Sequence, residues 1–199
     1  MRTAVRFLAV IAVSTICFGC SGKGGDKPQG SKAEQKAASV NLALKYMQGV
    51  QDGDKNKMYE ASNLTREIVN DNREKLIHPA QYNQTDQQRK DSEHALRISG
   101  NIDFIAAKIS KMLPKSATFQ IAETTDWVLT DGVRKTDHSI KITYGNQDEA
   151  MRDKAGKPVK EMVLHLQQIS RSVNGSLIHN FTFDTEKIAE RDFQVISYY

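Results

Sequence analysis

Apolar and polar residues alternate over much of the region from 116 to 184, which predicts a β-sheet. Four stretches show this alternation: 119–129, 133–144, 162–173 and 177–183. Alternation of this kind is typical of strands that bury one face of a sheet. Asp131-Gly132 and Asn174-Gly175 divide the stretches into two pairs, and both dipeptides favour the tight turn of a β-hairpin. We therefore expect a four-stranded antiparallel sheet made of two hairpins.

The turn at Asp131-Gly132 also predicts the register of the first hairpin. If Thr130 faces Val133, counting back along both strands predicts every other pair. Thr125 then faces His138. The other predicted pairs are Phe119 with Tyr144, Ile121 with Ile142, Glu123 with Ile140 and Trp127 with Thr136. The apolar residues that this pattern assigns to the core face are Phe119, Ile121, Trp127, Leu129, Ile140, Ile142, Tyr144, Met162, Leu164, Leu166, Leu177, Phe181 and Phe183. The linking stretch 145–158 is charged and contains glycine, so we expect a mobile loop or the tip of a β-ribbon.

Before the sheet, apolar residues recur with the period of helices. A first helix is predicted over 33–50, and Asp52-Gly53-Asp54 ends it while Asp54 caps a short second helix. A third helix closes before His78-Pro79. The fourth begins at the capping box 85–88 and stops at Leu113-Pro114. Helices followed by a meander of strands predict an α+β fold, with the helices on one face of the sheet.

A short motif between the first two helices resembles a known superfamily. Residues 46–58, YMQGVQDGDKNKM, are similar to the opening of nuclear transport factor 2-like (cystatin-like) domains, in which an aromatic-apolar helix end precedes Gly-Asp and a short helix. The resemblance covers about 33–184 and implies a curved sheet of four to five strands with a cone-shaped pocket between sheet and helices. It also allows pairing of two sheets in a homodimer.

The first twenty residues resemble a bacterial lipoprotein signal. Arg2 and Arg6 precede an apolar run over 7–18, which is too short to span a bilayer comfortably, and Gly19 then precedes Cys20. The resemblance implies that Cys20 is acylated and becomes the mature N-terminus, although Cys17 and Phe18 depart from the family's preferred residues. Cleavage by ordinary signal peptidase is the alternative. With Ser21 following the cysteine, the resemblance favours the outer membrane, facing the periplasm.

Composition is consistent with this localisation. The two cysteines of the sequence are Cys17 and Cys20, so residues 21–199 can form neither a disulfide nor a cysteine-based metal site. The stretch 20–32 is rich in Gly, Ser and Lys and is expected to be a flexible tether, which leaves 33–199 for one domain. Removing Arg2 and Arg6 lowers the net charge from +4 to +2, which is too mild to indicate nucleic-acid binding.

Candidate chemistry is limited to one cluster on the predicted core face. The expected register brings together Glu123, Thr125, Trp127 and His138, a carboxylate and an imidazole beside an indole. Such a group could bind a small polar ligand or transfer a proton, but a structural Glu123–His138 pair is the simpler interpretation. Some members of the superfamily that this chain resembles are enzymes such as ketosteroid isomerase. None of their catalytic acids and oxyanion-hole donors can be matched to this sequence position by position.

The remaining histidines are not expected to converge. His179 falls on the apolar face opposite Ser170, whereas His165 falls on the other face and two more lie on helices. We therefore expect neither a metal site nor a cofactor.

The sequence thus favours a lipid-anchored extracytoplasmic domain without catalytic activity, which holds a protein partner or a small ligand on its sheet or in its pocket. One alternative is a small periplasmic enzyme that uses Glu123 and His138 as an acid–base pair. Another alternative is a structural dimerisation module. An apolar patch on the outer sheet face around Val163, Ile169 and Ile178 would favour it. The segment 192–199 also alternates, and it could add a fifth strand, by default on its own sheet edge, or lie on a partner.

Overall fold

The computed structural model describes residues 31–130, 132–153, 155–173 and 175–184. The expected signal peptide, Cys20, most of the tether and the segment 192–199 lie outside these residues, as do Asp131 and Asn174 of the two predicted turns. The helices are α1 (Lys32–Asp52), α2 (Lys55–Ala61), α3 (Arg66–Ile77), α4 (Pro79–Tyr82) and α5 (Asp86–Lys108). The strands are β1 (Ala117–Thr124), β2 (Val128–Thr130), β3 (Val133–Tyr144), β4 (Glu161–Val173) and β5 (Ser176–Phe183). This is the α+β fold that the sequence predicts.

The helix ends follow from local chemistry. Ser31 and Glu34 form a capping box that starts α1, and Gly53 at φ 66° ends it in the left-handed conformation that glycine adopts without strain. The carboxylate of Asp54 accepts the free backbone N–H groups at the start of α2, as predicted. The predicted capping box of Thr85 and Gln88 starts α5. The short helix α4 was not predicted from the sequence.

The sheet is antiparallel and open, with the strand order β1-β3-β4-β5, and β2 pairs with β3 beyond the end of β1. Glycine occupies a left-handed conformation in both hairpin turns, at Gly132 (φ 73°) and Gly175 (φ 83°), as tight turns require. The second hairpin has one unbroken register in which Ser170 faces His179, as predicted.

The predicted register of the first hairpin is correct only next to its turn. Thr130 does face Val133, but Phe119 faces Ile142 instead of Tyr144, and Ile121 faces Ile140 instead of Ile142. The reason is that the strand leading into the turn carries extra residues. One lies in an irregularity between Ile121 and Glu123, and the pairing shifts once more between β1 and β2. Each extra residue displaces the pairing by one position.

The core lies between the sheet and the helices. Tyr46 of α1 stacks on Phe181 of β5, with ring centroids 4.4 Å apart. The largest fully buried side chains are Tyr46, Phe181, Met47, Met58, Leu64, Ile98, Ile102, Leu113, Ile140, Ile142, Leu164 and Leu166. The helices therefore cover the sheet face that carries the apolar residues of β3 and the first half of β4.

Two residues predicted in the core are exposed. Leu129 is 57% exposed because it lies in β2, an edge strand whose three residues are all exposed. Leu177 is 43% exposed, whereas its neighbour Ile178 is fully buried. Strand residues alternate between faces, so this end of the hairpin is covered on the face opposite Leu177. Arg171, which pairs with Ile178, contacts helix α5 there.

The linking stretch 145–158 forms the β-ribbon tip that was one of the two expected possibilities. Arg152 pairs with Pro158 across it. The carboxylate of Asp153 accepts the backbone N–H groups of Ala155 and Lys157, both at 2.9 Å. Ala150 is buried, so the ribbon packs back onto the domain.

Candidate functional site

The four residues predicted to form a pocket do not come together. After the irregularity in β1, Glu123 faces Ser139 and Thr124 faces His138. A shift of one residue moves side chains to the opposite face of a strand. Thr124 is consequently buried, and Glu123 is exposed. The predicted Glu123–His138 pair is therefore wrong, and so is the predicted pairing of Thr125 with His138.

Thr125 and Trp127 lie in the irregular segment between β1 and β2. Thr125 is exposed and pairs with Asp137: its N–H donates to the Asp137 carbonyl, and its Oγ1 accepts the Asp137 N–H, both at 2.9 Å. Trp127, which we expected to be buried, is half-buried. The guanidinium carbon of Arg134 lies 5.6 Å from the Trp127 ring centroid, in a cation–π contact at the surface.

His138 is 1% exposed and bonds to neutral polar groups. Its Nδ1 lies 2.9 Å from Thr124 Oγ1, and its Nε2 lies 3.2 Å from Gln168 Oε1. Ser39, reaching down from α1, donates to the same Gln168 oxygen at 2.6 Å and lies 3.4 Å from His138 Nε2. The imidazole thus ties β1, β3, β4 and the first helix together.

These contacts continue across the sheet to the far strand. Ser170 Oγ lies 2.8 Å from His179 Nδ1, and Gln168 Nε2 lies 3.3 Å from the same nitrogen. We call the whole set the polar row: Ser39, Thr124, His138, Gln168, Ser170 and His179. It crosses β1, β3, β4 and β5 on the face that α1 covers, and within it Gln168 joins the two histidines.

The hydrogen bonds fit one assignment of protons. An uncharged His138 that donates from Nε2 to Gln168 Oε1 leaves its Nδ1 free to accept from the Thr124 hydroxyl. The Gln168 amide nitrogen can only donate, so His179 Nδ1 accepts from it and from the Ser170 hydroxyl. Every ring nitrogen named here then has a partner, and the row needs no charge.

Burial favours this uncharged state. Burial lowers the pKa of His138 below its usual 6.5, against the opposing effects of the hydrogen bond to Gln168 and the nearby Asp137 carboxylate. The pKa of His179 is lowered to about 4, mainly by burial and secondly by the positive charge of Arg134. Both imidazoles are therefore neutral near pH 7.

A second polar cluster links α5 to β4. Arg171 Nη2 lies 3.6 Å from Asp91 Oδ1, and Arg97 Nη2 lies 2.7 Å from Nδ1 of the buried His94. Burial, followed by the charges of Arg171 and Arg97, lowers the pKa of His94 to about 4, and the Asp91 carboxylate opposes the shift. This contact anchors the end of the second hairpin against the helix.

Half of the polar row was not predicted from the sequence. The pattern indicated His138, and it placed His179 inward and opposite Ser170, but it did not indicate Ser39, Thr124 or Gln168. One signal was present: Gln168 and Ser170 continue the every-second-residue pattern of Met162, Leu164 and Leu166, so they had to face the core. The inward position of Thr124 depends on the irregularity in β1, which no residue pattern indicated.

The arrangement holds strands of the sheet to one another and to α1. The polar row contains hydroxyl, amide and imidazole groups and no carboxylate. Among the described residues, no three histidine, cysteine, aspartate or glutamate side chains are placed to hold a metal ion. A separate shallow groove of about 380 Å³ runs between α1 and β1, lined by Leu44, Gln48, Gln51, Ala117, Thr118 and Phe119.

Comparisons with protein-family models, curated protein sequences and solved structures found no match. In the part of the chain that the structure describes, no helix has both the length and the apolar character needed to cross a membrane.

Proposed function

We propose that this chain is a lipid-anchored extracytoplasmic binding domain of the nuclear transport factor 2-like type, without catalytic activity. The observation that carries the non-catalytic part of the proposal is the pairing of His138 with Thr124 and Gln168. A buried imidazole that is uncharged and bonded on both nitrogens supports the packing of the sheet and has no proton acceptor of suitable strength beside it.

The start of the fold supports anchoring through Cys20. The first helix begins at Lys32, with Ser31 as its cap, so ten residues of tether sequence, 21–30, separate the cysteine from the domain. A chain of this length reaches at most about 35 Å when fully extended. A domain on such a tether stays close to the membrane surface and can still turn to meet a partner.

The outer face of the sheet is the surface that we assign to the partner. Val163, His165, Gln167 and Ile169 alternate with the buried residues of β4 and are all half-buried. Ile178, which the dimerisation alternative required in an apolar patch with Val163 and Ile169, is fully buried. The remaining face mixes apolar and polar groups, as surfaces that bind and release partners commonly do.

The enzymatic alternative depended on Glu123 and His138 acting together. With Glu123 exposed and paired to Ser139 in the strand register, that pair gives the alternative no support. We therefore propose no catalytic residues.

Membrane anchoring and partner binding can be tested in one experiment on cells that express the whole chain. Cys20→Ala should abolish incorporation of a labelled fatty acid and release the protein from membranes or leave its precursor, whereas the matched Cys17→Ala variant should still be labelled. Unchanged labelling of Cys20→Ala would disprove the anchor.

The same cells report on the binding face. A photo-crosslinking residue at Ile169, on the outer sheet face, should give a discrete larger adduct, whereas one at Ile77, on the exposed face of α3, should not. Adducts of equal yield at both positions, or none at Ile169, would contradict the assignment of the partner to the sheet.

A further inference from the structure

The two edges of the sheet differ in how their backbone groups are used. At the β5 edge, the His179 N–H donates to the Ser62 carbonyl at 3.0 Å. Asn63 Nδ2 donates to the Leu177 carbonyl at 2.7 Å. The connection between α2 and α3 therefore closes this edge against further strands.

The β1 edge is closed only at its beginning. The Ala117 N–H donates to the Pro114 carbonyl at 2.9 Å, and the Ala117 carbonyl accepts from Gln51 Nε2 at 2.8 Å. Both groups thus point away from β3. Backbone groups alternate in direction along a strand, so those of Phe119 and Ile121 also point away from β3. Within the described residues they have no hydrogen-bonding partner.

The same edge borders the groove between α1 and β1. Phe119 lines the groove beside Leu44 and Gln48, and Phe119 and Ile121 are only half-buried. Apolar side chains beside free backbone N–H and C=O groups are the features that accept an extended segment as an added strand. The irregularity after Ile121 limits the site to a few residues.

A segment with matching properties follows the described part of this chain. Residues 193–199, FQVISYY, alternate and are rich in aromatic and β-branched side chains, which favour strands. Strands β1 and β5 run in opposite directions because three antiparallel pairings separate them. A segment that continued in the direction of β5 would therefore lie antiparallel to β1.

The segment can reach the site. The Asp184 N–H donates to the His165 carbonyl at 3.1 Å, His165 faces Ser139, and Ser139 faces Glu123. Asp184 thus lies three strand spacings, about 14 Å, from the end of β1. The eight residues 185–192 span up to about 27 Å when extended, which is enough to reach the β1 edge.

We propose that residues 193–199 add to the sheet of their own chain as an antiparallel strand on the β1 edge, with backbone bonds to Phe119 and Ile121 and apolar side chains in the adjoining groove. The added strand protects an edge that would otherwise be open to pairing with other chains.

Hydrogen exchange of the Phe119 and Ile121 amides tests the proposal on the whole chain. These amides should exchange about tenfold or more faster when the chain ends at Asp184, and also in Val195→Pro, which removes a backbone donor from the added strand. The matched Ala189→Pro variant, in the crossing stretch, should keep the slow rates. The His179 amide at the opposite edge should not change in any variant.

Three results would overturn the proposal. The first is equal exchange of Phe119 and Ile121 in the whole chain and in Val195→Pro, which stays informative even if the shortened chain fails to fold. The second is acceleration of the His179 amide by the same factor, because the segment would then stabilise the whole fold and not the β1 edge. The third is slow exchange found only in a dimer whose mass, by light scattering, halves in Val195→Pro, because the segment would then pair with a second copy.

Discussion

Replacing Thr124 or His138 alone should destabilise the protein more than the chemistry of either side chain suggests. Thr124→Val keeps the shape of the side chain but leaves His138 Nδ1 without its partner at 2.9 Å. His138→Leu leaves the Thr124 hydroxyl unpaired in turn. Each single change should lower the free energy of unfolding by about 1–3 kcal/mol, the usual cost of leaving a buried polar group unsatisfied.

The double variant should lower the free energy of unfolding by less than the sum of the two single changes. Once both partners of the bond are apolar, neither is left unsatisfied, and Gln168 Oε1 still accepts from Ser39 at 2.6 Å. We expect a coupling free energy of about 1 kcal/mol or more. Thr118→Val is the matched control, because Thr118 lies on the same strand but is exposed, so this change should stay within about 0.5 kcal/mol of the parent.

Urea unfolding near pH 7.5 measures these differences, and the single tryptophan of the sequence, Trp127, supplies the fluorescence signal. Two outcomes would refute the role of the polar row. One is strict additivity of the Thr124 and His138 variants. The other is a Thr124→Val variant no less stable than Thr118→Val.

Two further predictions concern acid and packing. Because His179 and His94 have pKa values of about 4 in the fold and about 6.5 when unfolded, the unfolded chain binds protons first as the pH falls. The free energy of unfolding should therefore keep its full value above about pH 6.5 and decrease as the pH falls toward 4. The decrease should be up to about 1.4 kcal/mol per pH unit for each histidine. A urea midpoint that stays constant between pH 7 and pH 5 would contradict this. Gly49→Ala should lower the free energy of unfolding by about 1–3 kcal/mol, since the added Cβ would come within 2.7 Å of Met58 Cγ. The Cβ added by Gly100→Ala meets nothing within 4 Å, so this change should stabilise α5 by up to about 1 kcal/mol. Thermal melts of the two variants that shift in the same direction would show that the packing argument is wrong.

The predictable parts of the fold are those encoded by neighbouring residues. Asp54 and the Thr85–Gln88 capping box start helices because their side chains bond backbone groups two or three residues away. The predicted hairpin turns likewise follow from local backbone preference, with Gly132 and Gly175 at positive φ. For the second hairpin, whose register is unbroken, this local information was enough to place Ser170 opposite His179.

The candidate site could not be predicted in the same way because it depends on two extra residues in one strand. Counting back from the turn assumes that every residue of one strand has one partner on the other, and β1 violates this assumption between Ile121 and Glu123. Neither glycine nor proline marks the irregularity. Its energetic support is the buried hydrogen bond between Thr124 and His138 and the exposure of the Glu123 carboxylate, which are tertiary effects.

This irregularity also connects the interior of the domain with its surface. By rotating the strand, it places a hydroxyl instead of a carboxylate beside His138, so the polar row can remain uncharged under α1. It also ends the run of outward-facing backbone groups after Ile121, which restricts the β1 edge to a short site. A regular β1 would have buried Glu123 against a neutral imidazole and left a longer open edge. Both outcomes are unfavourable, because an unpaired buried carboxylate destabilises the fold and a long open edge invites pairing with other chains.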